Sequence, residues 1–209
     1  LYVQDQMALD NWRLTLGGRE DWVHTGTTFH NQNDATNTQR DKNFSGNAAL
    51  SYVFDNGVTP YLSYAESFQA GSGTQVLSTG AFKPTKGKQY EAGIKYQPPG
   101  TKALLTAAVF DLTQTNTSVT EGGITRQVGE VRVRGLELEA SADVTESLKL
   151  VGSYTYNDSE ITKGAAGEKG NRMNQVPRNQ ATAWADYTWH SGPLDGFGVG
   201  AGVRYVGDT

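Results

Sequence analysis

The chain has 209 residues, of which 36% are hydrophobic and 19% charged, and its mean hydropathy is −0.54. The absence of cysteine excludes a disulfide framework and a thiolate metal site, and a net charge of −4 argues against a nucleic-acid partner. No stretch approaches the roughly 18 consecutive apolar residues of a membrane-spanning helix. Apolar residues instead alternate with polar ones, which is typical of strands with one apolar and one polar face.

Alternation is strictest over residues 88–96, where Tyr90, Ala92, Ile94 and Tyr96 form one face. In chain order, about ten such strands are predicted, at 1–10, 12–22, 44–54, 58–68, 88–96, 102–114, 124–140, 148–156, 178–190 and 197–205. For the sixth strand the pattern predicts an apolar face made of Leu104, Ala108, Phe110 and Leu112. For the ninth it predicts an apolar face made of Ala181, Ala183, Ala185, Tyr187 and Trp189.

The connections between these strands alternate in length. Five are short and rich in turn residues, at 10–11, 55–57, 98–100, 143–147 and 191–196. The other connections are polar loops, predicted at 24–42, 69–86, 115–123 and 161–176. Short turns on one side and long loops on the other are typical of bacterial outer-membrane β-barrels. The competing interpretation, a soluble β-sandwich or solenoid, gives no reason for this asymmetry.

The alternation slips once, between Val131 and Val133 at odd positions and Leu136 and Leu138 at even ones. A β-bulge at Arg134–Gly135 would repair the register. It would place Arg132, Arg134, Glu137 and Glu139 together, facing the lumen. Alternatively, the two arginines lie above the hydrocarbon, where facing matters less. The bulge is the favoured prediction.

Several stretches resemble TonB-dependent siderophore receptors, most closely the hydroxamate type that includes the ferrichrome and ferrioxamine receptors. The matching segments are 1–6, 16–19, 59–68, 86–96, 131–139, 151–156 and 176–177, which read LYVQDQ, LGGR, TPYLSYAESF, KGKQYEAGIKY, VRVRGLELE, VGSYTY and VP. The resemblance extends over nearly the whole chain. It is specific for the family and weak on which siderophore is carried.

The resemblance implies an all-β fold, an antiparallel transmembrane barrel of about 22 strands whose lumen holds a plug domain. Residues 1–209 would then be part of that barrel, with the plug domain and the remaining strands outside this chain. The implied partners are a ferric siderophore, membrane lipid and lipopolysaccharide of the Gram-negative outer membrane, and the TonB complex, reached through the plug. No cofactor is implied, because iron travels only as the siderophore chelate.

The resemblance also implies ligand-binding residues. Phe68 matches an aromatic position that helps to line the siderophore pocket in ferrichrome-type receptors. Phe82, in the following loop, is a weaker candidate. An aromatic contact suits the carbonyl oxygens and methylenes of a hydroxamate shell. The plainer interpretation makes Phe68 a girdle aromatic that faces lipid and Phe82 a residue that packs within its loop.

Other functions are open to the same residues. A passive pore, a structural barrel or a docking surface for phage or colicin would also use a barrel with long outer loops. A barrel enzyme would need a histidine with Asp or Ser at the rim. The three histidines, His24, His30 and His190, are split between a predicted polar loop and a short turn at the other end. Neither catalysis nor a metal site made of His24, His30 and Asp34 is predicted.

Overall fold

The computed structural model describes residues 1–29, 35–71, 82–121 and 124–208. Within these ranges, ten antiparallel strands form one sheet, in which each strand pairs with its neighbours in chain order. They are β1 (Tyr2–Leu9), β2 (Trp12–Phe29), β3 (Ala35–Tyr52), β4 (Val58–Gln69), β5 (Thr85–Tyr96), β6 (Ala103–Glu121), β7 (Ile124–Asp143), β8 (Leu148–Lys163), β9 (Asn179–Thr188) and β10 (Gly198–Val206). The predicted all-β antiparallel architecture of about ten strands is confirmed.

Strand pairing assigns every residue to one of two faces, because directly paired residues point to the same side of a sheet. One row of partners is apolar and runs through Leu14, Leu50, Leu62, Ala92, Val109 and Leu136. A row of the opposite parity is polar and runs through Lys95, Thr106, Glu139, Ser153 and Thr182. We call the side that carries the first row the apolar face and the side that carries the second the polar face.

The apolar face is exposed over most of its area. Leu62 is 62% exposed, Val109 54% and Val203 74%. The buried hydrophobic cluster consists of Val128, Val131 and Ile161 and lies near the long loops. Within the described ranges the structure is a single sheet with no second layer over it. An exposed apolar surface of this size would be a liability in water and suits contact with hydrocarbon.

Aromatic rings group at both ends of the apolar face. Near the short turns, Trp12 meets Tyr52 at 4.9 Å between ring centroids and Tyr52 meets Phe54 at 4.7 Å. Further along the same end, Tyr187 meets Trp189 at 4.8 Å. Towards the long loops, Tyr64 and Tyr90 pair at 4.9 Å. Aromatic residues prefer both interfaces of a bilayer, so the two groups bracket the membrane-spanning part of the sheet.

The strands extend further into the predicted polar loops than the sequence indicated. β2 and β3 remain paired as far as Phe29 and Ala35, so most of the predicted loop 24–42 is a hairpin. β6 and β7 stay paired up to Glu121 and Ile124, within the predicted loop 115–123. A ladder needs only backbone groups, and threonine-rich stretches favour it without an apolar face. Residues His30 and Asp34, considered above for a metal site, lie outside the described residues.

The predicted apolar face of β6 is wrong. Leu105, Ala107 and Val109 pair with Tyr96, Ile94 and Ala92, so the odd-numbered residues lie on the apolar face. Ala108 and Phe110 instead pair with Gly93 and Glu91, on the polar face. Apolar residues occur at both parities of this strand. The pattern alone could not distinguish its faces, and pairing with β5 decides them.

The predicted bulge at Arg134–Gly135 is also wrong. β7 pairs continuously with β6 and β8 through these residues, and its register shift lies at Glu130/Val131. Gly135 lies opposite Phe110, whose ring fills the space where a larger side chain would stand. Without the bulge, Arg132 and Arg134 share the face of Leu136 and Leu138. Their predicted lumen-facing position is therefore corrected to the apolar face.

Candidate ligand-binding site

Three carboxylates lie close together on the polar face, on strands β5 and β7. Glu91 accepts a hydrogen bond from the Tyr61 hydroxyl at 2.6 Å and one from Gln89 Nε2 at 3.0 Å. On β7, Glu137 pairs with Ala108 and Glu139 pairs with Thr106, so both lie on the same face. We call Glu91, Glu137 and Glu139 the acidic strip. No salt bridge to these three carboxylates is found in the described part of the chain, so the strip is free to meet a cationic group.

A band of ion pairs crosses the other face, at the end nearest the long loops. It contains Glu20–Lys42 and Glu66–Lys88, each at 3.4 Å, together with the contacts of Asp111 with Arg132 and Arg134. Strand pairing places these residues on the apolar face, at the same parity as the apolar residues of the membrane-spanning part. We call this set the charged band. Asp111 and Arg134 lie level with the aromatic pair Tyr64–Tyr90, because Asp111 pairs with Tyr90 and Arg134 pairs with Asp111. The other members of the band lie closer to the long loops.

The two predicted ligand-binding aromatics lie at either end of the β4–β5 connection. Phe68 pairs with Lys86 near the end of β4, and its parity is that of Tyr64 and Leu62 on the apolar face. It is half-buried there. Phe82 is also half-buried and lies just before β5. Its place on the apolar face makes a ligand-binding role for Phe68 less favoured than the sequence suggested. The ligand-binding role of both residues stays a prediction.

The segment 82–84 is held by side chains that the sequence did not single out. Gln39 Nε2 donates to the Phe82 carbonyl at 3.0 Å. The Gln127 amide accepts from Lys83 N at 2.9 Å and donates to the Lys83 carbonyl at 2.7 Å and to the Asn116 carbonyl at 2.8 Å. Gln39 belongs to β3 and Gln127 to β7, and both strands are longer than β4 and β5. The backbone at Phe82 and Lys83 is therefore held between the two longer strands.

A loop folds over the polar face at the long-loop end of β8. Met173 N donates to Ser159 Oγ at 3.3 Å and Asn157 Nδ2 donates to the Pro177 carbonyl at 3.2 Å. Asn157 and Ser159 are both buried beneath it. A cavity of about 230 Å³ lies between this loop and the ends of β6 and β7. It is lined by Ser118, Arg126, Val128, Ile161, Glu168, Asn171, Arg172, Met173, Asn174 and Gln175; we call it the loop cavity.

Glu168 ties this loop to the sheet. Its carboxylate pairs with the Arg126 guanidinium and accepts a hydrogen bond from Ala165 N at 2.7 Å. The Ala165 N–H bond and the pairing with Arg126 hold the pKa of Glu168 below its usual range. Both contacts favour the ionised carboxylate. The cavity wall is therefore closed by a contact that depends on a carboxylate remaining charged.

Acidification is expected to release the loop. A carboxylate whose pKa is lower in the folded state stabilises the fold fully above its unfolded pKa, and this contribution disappears as the pH falls through the lowered value. Backbone amides of residues 164–171 should therefore exchange with deuterium faster at about pH 3 than at pH 7, after correction for intrinsic rates. In Glu168→Gln, exchange of this segment should already be fast at pH 7. If the variant exchanges like the wild type at pH 7, Glu168 does not hold the loop.

No helix among the described residues is long and apolar enough to cross a membrane. In the same residues, no three His, Cys, Asp or Glu side chains are grouped so that they could hold a metal ion. His24 lies within β2, and His190 Nε2 lies 2.9 Å from the Glu146 carbonyl near the opposite end of the sheet. The described histidines are therefore not brought together.

Comparison with known proteins gives the same architecture. The chain is 45% identical over its whole length to the ferrichrome outer membrane transporter/phage receptor of Escherichia coli. It is 43% identical over 98% of its length to the ferrioxamine B receptor of Salmonella typhimurium. In structure it resembles the siderophore receptor PiuA from Acinetobacter baumannii, with a TM-score of 0.77 and 27% identity, covering 98% of this chain and 32% of that one.

The chain spans 28% of the length of the Escherichia coli relative and 29% of the Salmonella one. The profile of the TonB dependent receptor-like β-barrel family matches residues 1–209. Membership in a receptor family also supports the prediction that the chain is not an enzyme. The chain belongs to the TonB dependent receptor-like β-barrel family and is a segment of a Gram-negative outer-membrane barrel.

Proposed function

We propose that this chain is part of the barrel of a receptor that takes up a ferric hydroxamate siderophore, with energy supplied through TonB. The observation that carries the proposal is the identity of 39–45% over nearly the whole chain to receptors named for ferrichrome and ferrioxamine. The structure supports it with a polar face suited to a wet lumen and an apolar face suited to lipid. The iron is cargo, carried within its chelate.

In this proposal the acidic strip faces the plug domain that the family places inside the barrel. Glu137 and Glu139 lie on the polar face, and Glu91 joins them from β5. Carboxylates in a partly enclosed lumen attract arginine and lysine strongly, because water screens the interaction less. The strip would bind basic groups of the plug and so hold the plug in its resting position.

The charged band supports the second partner, lipopolysaccharide. Lys42, Lys88, Arg132 and Arg134 lie on the outward face, from the level of Tyr64 and Tyr90 towards the long loops, where phosphates of the outer leaflet would be. Guanidinium and ammonium groups bind phosphate through charge-assisted hydrogen bonds. The carboxylates between them would favour shared divalent cations at the same level.

The ligand itself would bind above the plug, on the polar face at the long-loop end. Phe82 is the better supported of the two predicted aromatics, since Gln39 holds its carbonyl and Gln127 holds the next residue, Lys83. A ring carried on backbone that is already ordered can pack on the methylenes of a hydroxamate chelate at a lower entropic cost. Phe68 stays the second candidate, at the end of the same connection.

The test is chelate binding to the full-length receptor that contains this segment, purified in detergent. A ferric trihydroxamate is expected to bind at least about tenfold more tightly than a ferric triscatecholate. Phe82→Ala should weaken trihydroxamate binding about three- to tenfold, the effect of one aromatic contact, while Phe54→Ala, at the short-turn end, should not. Equal binding of both chelates, or equal effects of the two variants, would contradict the proposal.

A further inference from the structure

The backbone of Lys83 and Pro84 lies beyond the strand ladders on both sides of it. Pairing of β4 with β5 ends at Gln69 and Thr85, and pairing of β6 with β5 ends at Lys86. Backbone N–H and C=O groups that no ladder satisfies need other hydrogen-bond partners. For this segment, the partners are side chains of β6 and β7.

Gln127 takes the place of a strand partner for Lys83. Its Oε1 accepts from Lys83 N at 2.9 Å, while its Nε2 donates to the Lys83 carbonyl at 2.7 Å. This pair of bonds satisfies both polar groups of the Lys83 main chain, as the two bonds of an antiparallel strand would. The same Nε2 donates to the Asn116 carbonyl at 2.8 Å, so Gln127 also links the segment to β6.

Asn116 of β6 holds the next two residues. Its Nδ2 donates to the Pro84 carbonyl at 2.9 Å, and its own carbonyl accepts from Thr85 Oγ1 at 3.0 Å. Asn116 has a φ of 57°, a left-handed conformation that asparagine adopts more readily than most residues. The pairing of β6 with β7 skips Asn116, and its carbonyl accepts from Thr85 and Gln127 instead.

The Phe82 carbonyl is held by two further residues. Gln39 of β3 donates to it at 3.0 Å. Gly71, just after β4, lies so close to it that a Cβ on Gly71 would overlap the carbonyl group. Each of residues 82–85 therefore has at least one contact with β3, β6 or β7, and the Phe82 ring extends from backbone that is ordered without a ligand.

We propose that Gln127 and Asn116 are positioning residues for ligand binding, which order residues 82–85 in the free receptor and so present Phe82 to the iron chelate. This rests on the proposed function, since it concerns a candidate ligand contact of the same receptor. A segment that is ordered before binding keeps the affinity that a mobile segment loses to the entropy of ordering. Where the competent arrangement is populated for only a fraction of the time, the apparent dissociation constant rises in inverse proportion to that fraction. Both amides act through the backbone that they hold, without touching the chelate.

The test is a double-mutant cycle on the full-length receptor in detergent, with binding of a ferric trihydroxamate measured by titration. Gln127→Ala should weaken binding about three- to tenfold, up to the effect of Phe82→Ala itself. Because Gln127 acts through Phe82, the double variant should bind no more weakly than Phe82→Ala alone. Asn116→Gly keeps the positive φ and removes the side-chain bond to Pro84, so its effect should likewise disappear in the Phe82→Ala background.

The matched control is Asn43→Ala, which removes an amide that makes the same kind of bond elsewhere on β3. Asn43 Nδ2 donates to the Phe44 carbonyl at 2.8 Å and, within the described ranges, makes no bond to residues 82–85. Any effect of this variant on binding should therefore add in full to that of Phe82→Ala.

Deuterium exchange of the free receptor provides the second readout. The amides of residues 82–85 should exchange faster in Gln127→Ala than in the wild type, and at the wild-type rate in Asn43→Ala. Unchanged exchange in Gln127→Ala, additive effects in the cycle, or a Phe82→Ala variant that binds like the wild type would each overturn the proposal alone. If the wild type does not bind the trihydroxamate, the proposed function fails and this proposal fails with it.

Discussion

Ala183→Arg is expected to lower the free energy of unfolding of the full-length receptor in a phospholipid bilayer by roughly 2–4 kcal/mol. This is the cost of an arginine that faces lipid near the midplane. Ala183 lies in the middle of β9, paired with Gly152 and Val203 on the apolar face. Its side chain would enter hydrocarbon with no acceptor within reach. Urea titration of folding into vesicles measures the difference directly.

The matched control is Ser153→Arg, one residue from Gly152 on the same strand but on the opposite face. Ser153 pairs with Glu139 of the acidic strip, so an arginine there would lie in a wet lumen beside a carboxylate. Its expected cost is below about 1 kcal/mol. If the two variants are equally destabilised, the assignment of faces in β8 and β9 is wrong.

Gly135→Ala is expected to destabilise the receptor by about 1–3 kcal/mol, the usual cost of overpacking. A Cβ at this position would overlap the Phe110 ring and the Tyr156 carbonyl oxygen, both well inside contact distance. The ring can turn away, whereas the carbonyl belongs to the ladder and cannot. The same urea titration provides the measurement.

Gly152→Ala is the control for that variant, because a Cβ there meets only the Thr182 carbonyl oxygen at 3.6 Å, an ordinary contact. It should be close to neutral. The double variant Phe110→Leu with Gly135→Ala should recover part of the loss, because the carbonyl overlap persists. Full recovery would mean that the ring alone requires the glycine, and no loss in Gly135→Ala would contradict the packing described here.

Period-two alternation predicted the number, order and direction of the strands because lipid and lumen impose it on every membrane-spanning residue. It failed at β6, where leucines at 104 and 105 and alanines at 107 and 108 make both faces apolar. It also failed at β7, where the parity of the apolar residues changes without a bulge at Arg134–Gly135 and the two arginines share the outward face with Leu136. A bulge and a change of surroundings give the same sequence pattern.

The site was less predictable than the fold. Gln39 and Gln127 reach Phe82 and Lys83 across 43 and 44 residues, and no local pattern reports such contacts. In the sequence, Arg172 lies in a polar loop and resembles a solvated arginine. Only the structure shows that its Nε and Nη2 atoms are buried. The acidic strip could be predicted only in part. Glu137 and Glu139 alternate on one strand, whereas Glu91 joins them only through strand pairing.

The central claim is that this segment belongs to a TonB-coupled receptor for ferric hydroxamates. Its most direct test is uptake of radioactive iron, offered as a ferric trihydroxamate, by cells whose sole outer-membrane iron receptor is the full-length protein containing this segment. We expect uptake in cells with functional TonB and none in otherwise identical cells without it. No uptake in either strain, or equal uptake in both, would contradict the account.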